Sequence, residues 1–309
     1  MLEILEVAGE QTSNSEHIVP FSWIHASHPS DAELAQLQAI GIPPELLVHV
    51  LDFEERSRVI KRDDTVYIVI HMPFQQEDAS DIPFSTAPVS IILLPQYIVT
   101  IEPREMGLYE KLSVTPPSGL NPQDKTQFVL SLIMQAASDY QIYLREINRA
   151  IDDVEDHLKH SLRNREVLQL LNYQKSLVYF STSLNSIEMM LEKLLKGDFL
   201  QWIPDDQELA EDVLIEIRQA EYHVDIAQNI LTQMMDAFAS IVSNNLNTVM
   251  KFLAAVTIII SIPTLIASIY GMNVPLPGES AAQSFSILLG LSVLLSILVI
   301  VVFRKMDWL

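Results

Sequence analysis

Two apolar runs dominate the pattern of the chain. Between 252 and 278 no charged residue occurs, and between 280 and 303 none occurs again, with Glu279 alone between them. Each run exceeds the about 20 residues that cross hydrocarbon. Pro275 and Pro277 must stop the first, so helices are predicted over 252–270 and 283–303, joined by an external loop at 274–282. The result is a transmembrane hairpin.

Upstream the period of the pattern changes. The segments 65–72 (TVYIVIHM), 89–94 (VSIILL) and 96–101 (QYIVTI) are short, rich in β-branched residues and bounded by breakers, which predicts strands. Helical spacing over 31–40 and 43–51 lies nearby, so 1–120 reads as a small α/β domain closed by Pro116-Pro117-Ser118-Gly119. In 121–204, Ile133, Ala137, Tyr140, Leu144, Ile147, Ile151, Val154 and Leu158 alternate at spacings of four and three, the heptad seam of a long helix. A second helix over 163–196 stops at Gly197 after Lys193 and Lys196, giving a helical hairpin. Pro204, Asp205 and Glu208 read as a helix start with a capping box between the two acids. Neither Pro nor Gly interrupts the chain from there to Pro263, so one helix is predicted over 205–251 and onward through the first span, 252–273. At 1.5 Å per residue it would be about 90 to 100 Å long, far beyond a globular helix, and it needs partners to pack against. An oligomer is implied.

Composition sharpens this picture. Of 309 residues 49% are hydrophobic, more than an ordinary soluble chain carries. Glu3, Glu6 and Glu10 are incompatible with a basic and apolar leader, and the N-terminus is expected to stay in the cytosol. Lys251 precedes the first span, Arg304 and Lys305 open a basic tail at 304–309, and the connecting loop has neither Lys nor Arg. The positive-inside rule then places both termini in the cytosol, and a multi-pass protein of a prokaryotic plasma membrane is expected. Cysteine is absent, which excludes thiolate zinc sites, disulfides and cysteine nucleophiles. Any metal must meet oxygen or imidazole. A net charge of −21 argues against a nucleic-acid partner and for cations. No phosphate loop, dinucleotide fingerprint or catalytic constellation is present in the sequence, so no enzyme is expected.

Along the first span Asn247, Met250, Leu253, Thr257, Ser261 and Thr264 recur at spacings of three or four and share a face that turns polar toward the loop. In lipid such a stripe either packs between helices or lines a pore. Two spans cannot enclose a pore, so a pore requires symmetric copies of the chain.

The span ends in Tyr270-Gly271-Met272-Asn273, and with Asn247 and the Met250-Lys251 pair before it and a second span with a basic end after it, the chain resembles the CorA family of magnesium transporters. That resemblance implies an α+β membrane protein. Its parts are an N-terminal cytosolic α/β domain, a long helical hairpin, a very long pore helix and two transmembrane helices, assembled as a homopentameric funnel in the lipid bilayer. It implies a channel taking up Mg²⁺ down its electrochemical gradient, with Gly271, Met272 and Asn273 as the selectivity filter at the outer mouth. Neutral amides and carbonyls there would hold the hydrated divalent cation through its waters, which Mg²⁺ surrenders reluctantly. Glu279 would attract cations or simply be a solvated loop acid. Met250 and Leu253 would form apolar rings able to block hydrated ions by dewetting, and Asn247 a polar ring.

Regulatory Mg²⁺ in the family bridges carboxylates of neighbouring subunits, and alignment back from Asn273 places Asp212 at that position. The family's partner Asp falls at His49, ahead of Leu51-Asp52, so Asp52 or Glu55 would substitute. A neutral imidazole is a poor Mg²⁺ ligand and a good one for Zn²⁺, Ni²⁺ or Co²⁺. A Co²⁺, Ni²⁺ or Zn²⁺ transporter of the same fold, or a membrane-anchored metal sensor without transport, are therefore the alternatives. Ser268 stands where the family more often has Gly. Asp153, Asp156, His157 and His160 lie on adjacent turns, as a transition-metal site or as an ordinary solvated helix face.

Overall fold

The structure, a computed structural model, describes residues 2–8, 11–14, 18, 20–76, 81–114, 121–160, 164–273 and 283–309. They divide into two compact units, Met1–Gln233 and Met234–Leu309.

The first unit is built on a seven-stranded sheet. Its strands are β1 (Leu2–Ala8), β2 (Gln11–Asn14), β3 (Ser22–Ser27), β4 (Arg58–Arg62), β5 (Thr65–Gln75), β6 (Phe84–Leu93) and β7 (Tyr97–Glu102), in the order β2-β1-β3-β7-β6-β5-β4. Only β3 and β7 run parallel, in the register Ile24↔Val99; every other pair is antiparallel. The sequence predicts three of these strands and cuts two of them short at Pro73 and Pro88. Both strands run through their prolines. The β4 pairing ends at Arg58↔Val69 and the β7 pairing at Ser90↔Ile101, so each proline lies where its strand has one neighbour and a missing N–H can face an open edge.

Both faces of the sheet are covered, which is why the central strands read as unbroken apolar runs. On one face, α1 (Asp31–Ala39) and α2 (Pro44–Leu47) bring Leu37, Ile42, Leu46 and Val50 against Ile24, Tyr67, Val69, Ile92, Val99 and Ile101. The helix predicted over 43–51 stops at Leu47 and continues as turns to Leu51. Helix α1 begins with a full capping box, Ser30 with Glu33, and ends in a left-handed turn at Gly41 (φ +108°), where the Ile42 N–H reaches Leu37 O. A short helix α3 (Leu108–Val114) follows the sheet, and its Lys111 Nζ lies 3.2 Å from the buried Asp139 Oδ2.

The other face carries the helical hairpin, α4 (Lys125–His160) and α5 (Asn164–Lys196). The predicted seam is buried from Ile133 to Val154, and the side chain of Leu158 lies outside the described residues. Tyr140 sits edge-on to Phe180 and donates its hydroxyl to His71 O at 3.1 Å, while Thr86 and Ser183 hydroxyls meet at 2.8 Å. These bonds fasten the hairpin to β5 and β6.

Helix α6 (Pro204–Tyr270) is 67 residues long and passes through both units. Its start differs from the expected capping box. Asp206, at the third helical position, accepts from the Ile203 N–H at 3.2 Å, and neither Asp205 nor Glu208 makes that bond. The acid that fits is set by Pro204 occupying the first helical position, which moves the cap to Ile203. Ala210, Val213, Ile217, Ala220, Val224, Ala227 and Leu231 form a second buried heptad row, and Arg218 holds Glu188 (2.5 Å) and Glu192 (2.8 Å) of α5.

The second unit holds the end of α6 and helix α7 (Ser284–Lys305), both long and apolar enough to cross a membrane. Most of their less exposed positions form one stripe on each helix, at Lys251, Ala255, Ile259, Ile262 and Ile266 on α6, with Val256 off it, and at Ser284, Leu288, Ser292, Ser296, Val299 and Phe303 on α7. Among the described residues the unit contains only these two helices, so each stripe is the side turned toward the other.

Candidate functional site

At roughly 100° per residue, Met250, Leu253, Thr257, Ser261 and Thr264 centre about 150° around α6 from the stripe that faces α7, and Asn247 stands nearer, at about 80°. All six are exposed in the single chain. Among the described residues, no intramolecular partner covers the polar face.

The hydroxyls on that face have a shared geometry. Thr257 Oγ1 donates to Leu253 O at 2.8 Å, Ser261 Oγ to Thr257 O at 2.7 Å and Thr264 Oγ1 to Ile260 O at 2.9 Å. Each proton is spent on the helix backbone, so the oxygen lone pairs remain outward as acceptors. Ser268 extends the row by one turn and joins Thr257, Ser261 and Thr264 in lining a shallow open groove. The sequence signal for it was the spacing of four from Thr264.

Helix α6 does not stop abruptly at the motif. Gly271 N–H still bonds Ala267 O at 2.9 Å, and Met272 N–H bonds Ile269 O at 3.3 Å, so the last turn tightens as it leaves the helix. A Cβ at position 271 would stand 3.2 Å from Ala267 O, a tight approach that glycine avoids. Gly271, Met272 and Asn273 are all exposed, and Glu279 lies outside the described residues.

The proposed regulatory residues are spread over two elements. Asp212 projects from the exposed side of α6 beside the buried Val213. His49 and Asp52 follow α2 in the turn region, where Asp52 Oδ1 accepts from Glu54 N–H at 2.9 Å. Glu55 lies between two cationic or potentially cationic groups, Arg58 Nε at 2.8 Å and His49 Nδ1 at 3.3 Å. Its carboxylate is thus engaged within its own chain. Among the described residues, no group of three or more His, Asp or Glu stands close enough to hold a metal within one chain. His157 and His160 of the acid-histidine run on α4 have side chains outside the described residues.

The chain is similar to known proteins over nearly its whole length. A protein named cobalt/magnesium transport protein CorA from Methanocaldococcus jannaschii is 30% identical over 294 residues, 93% of this chain and 90% of its own length. The protein of the same name from Thermotoga maritima is 23% identical over 311 residues, 97% of this chain and 88% of its own. The complete structure of the CorA magnesium transporter from Methanocaldococcus jannaschii superposes with a TM-score of 0.86 at 25% identity, over 100% of this chain and 99% of that one. The family described as CorA-like Mg²⁺ transporter protein matches residues 20–305, and the chain belongs to that family.

Proposed function

We propose that the chain is one subunit of a homopentameric divalent-cation channel that admits Mg²⁺ down its electrochemical gradient through a prokaryotic plasma membrane, with both termini in the cytosol. The observation that carries this reading is the uncovered row of hydroxyl acceptors, Thr257, Ser261 and Thr264, on the side of α6 away from α7. Waters bound to Mg²⁺ are polarised hydrogen-bond donors, and a wall of acceptors whose own protons are committed elsewhere suits a hydrated ion. Symmetric copies of this helix, one from each subunit, are needed to close the path.

At the outer mouth Gly271, Met272 and Asn273 form the filter, where five Asn273 amides and nearby carbonyls bind the hydrated ion weakly enough to release it. At the inner end Met250 and Leu253 form the dewetting gate, with Asn247 below them. Intracellular Mg²⁺ bound between subunits, by Asp212 of one and the His49–Asp52 turn of another, holds the channel closed. His49 keeps Co²⁺, Ni²⁺ and Zn²⁺ as competing cargo or effectors, and the relatives' names include cobalt.

The test is Mg²⁺ uptake by proteoliposomes under an inside-negative potential, with Asn273→Ala as the matched variant. Uptake by the wild type that disappears in the variant supports channel and filter together. Passage of Co²⁺ or Zn²⁺ without Mg²⁺ overturns the cargo, and passage of no ion leaves a membrane-anchored sensor.

A further inference from the structure

The end of α7 is closed by a device that the cation pathway does not use. Asp307 adopts a left-handed conformation (φ +53°), and the Trp308 N–H turns back to bond Phe303 O at 3.0 Å. Met306 N–H is shared between Val302 O (3.1 Å) and Phe303 O (3.2 Å). The Trp308 ring lies on the Phe303 ring with centroids 5.2 Å apart and planes 3° from parallel. This is the six-residue helix closure with its customary apolar contact between the turned-back residue and the third residue from the helix end.

Helix α1 ends in the same way, but there the closing pair, Leu37 and Ile42, is buried in the core and the left-handed residue is Gly41. At α7 the pair is only half-buried. Between its two members lie exposed Arg304 and Lys305, which have no acidic partner among the described residues, and exposed Met306 (53%); exposed Leu309 (43%) follows the pair. An aromatic stack with apolar neighbours and two uncommitted cations in the same few residues, at the end of a span, has the make-up of a membrane–water boundary.

We propose that 303–309 is an interfacial anchor whose occupant is anionic lipid: the Phe303–Trp308 stack lies at the level of the upper acyl chains while Arg304 and Lys305 hold lipid phosphates. Anionic lipid is chosen over zwitterionic lipid by charge complementarity, since the two cations are not neutralised within the chain. The turn at Asp307 does the positioning. It brings Trp308 back beside Phe303 when a continued helix would carry it a further turn away from the span. The anchor rests on α7 crossing the bilayer.

The experiment uses the full-length protein in vesicles of phosphatidylcholine containing phosphatidylglycerol, with bromine placed high or low on the acyl chains of one lipid at a time. The fluorescence difference between wild type and Trp308→Phe isolates Trp308 from Trp23 and Trp202. Expected is quenching of Trp308 by high-placed bromine in preference to low, and more by phosphatidylglycerol-borne than phosphatidylcholine-borne bromine. Arg304→Gln with Lys305→Gln should abolish the lipid preference and keep the depth. Asp307→Gly should keep the depth and Asp307→Val, β-branched at a positive φ, should lose it. Trp308 that is unquenched, or quenched equally by both lipids, overturns the anchor. Leu294→Trp in the Trp308→Phe background reports separately on the span: quenching by low-placed bromine supports it, and none overturns the spanning of α7 itself.

Discussion

His49 Nδ1 stands 3.3 Å from Glu55 Oε2, and Arg58 holds the other oxygen of the same carboxylate at 2.8 Å. The imidazole at the expected position of a regulatory carboxylate is therefore drawn toward an acid of its own chain, and Asp52 is the freer ligand of the turn. Replacing His49 by Asp places a second carboxylate there and removes the partner of Glu55. Since ligand charge count tunes divalent-cation affinity over decades, His49→Asp should lower the Mg²⁺ concentration that half-closes the channel by about tenfold, and Asp212→Ala should raise it. Flux titrated against internal Mg²⁺ checks both, and two unchanged midpoints would remove this turn and Asp212 from regulation.

Met250 and Leu253 are 55% and 56% exposed in the single chain, so neither supports the fold of the subunit. Met250→Ser and Leu253→Ser should leave folding and assembly intact while raising Mg²⁺ flux at closing Mg²⁺ concentrations several-fold, because a hydroxyl ring stays wet where an apolar ring dewets. Unchanged flux in both would reduce these side chains to packing between subunits.

The stability of the first unit should weaken in mild acid through His71. Burial on β5 holds its pKa down from 6.5 to about 4, while its Nδ1 meets Ser57 Oγ at 3.0 Å. Above the unfolded value both states are neutral and the native contact is intact; between 6.5 and 4 the unfolded chain binds a proton that the native state refuses. Stability is thus present above 6.5 and falls as pH drops toward 4, by on the order of 3 kcal/mol in total. Denaturant midpoints at pH 7 and pH 5 measure it, and His71→Gln should flatten the difference relative to wild type.

What could be read in advance followed from interactions close in sequence. The seam from Ile133 to Val154, the row on α6 and the Gly-Met-Asn end each belong to one helix, where spacing alone decides which side chains share a face. Strand β3 was hidden because Ser22, His25 and Ser27 break its apolar pattern. It is buried only because Thr100 and Glu102, more than 70 residues away, supply polar partners: His25 Nδ1 meets Thr100 Oγ1 at 2.8 Å, and His25 Nε2 stands 3.5 Å from Glu102. Strand β1 has no clean alternation to read, because Glu3 falls in the same period-two set as Leu5 and Val7, and Glu6 in the set of Leu2 and Ile4. The capture of Glu55 by Arg58 and His49 depends on a loop path that no period encodes. The left-handed turn at Asp307 had no glycine to announce it.

Within the second unit, the run of α6 from Met250 to Ser261 fixes an angular phase between the apolar pair Met250 and Leu253 and the hydroxyl row. Each inserted residue between them turns one end against the other by roughly 100°, whereas seven restore the phase to within about 20°. A one-residue insertion near Ala255 should therefore turn the apolar pair off the hydroxyl face and lower Mg²⁺ uptake by proteoliposomes, while a seven-residue insertion largely preserves uptake, although it lengthens the helix more. Azimuth, more than reach, is what this stretch of helix conserves.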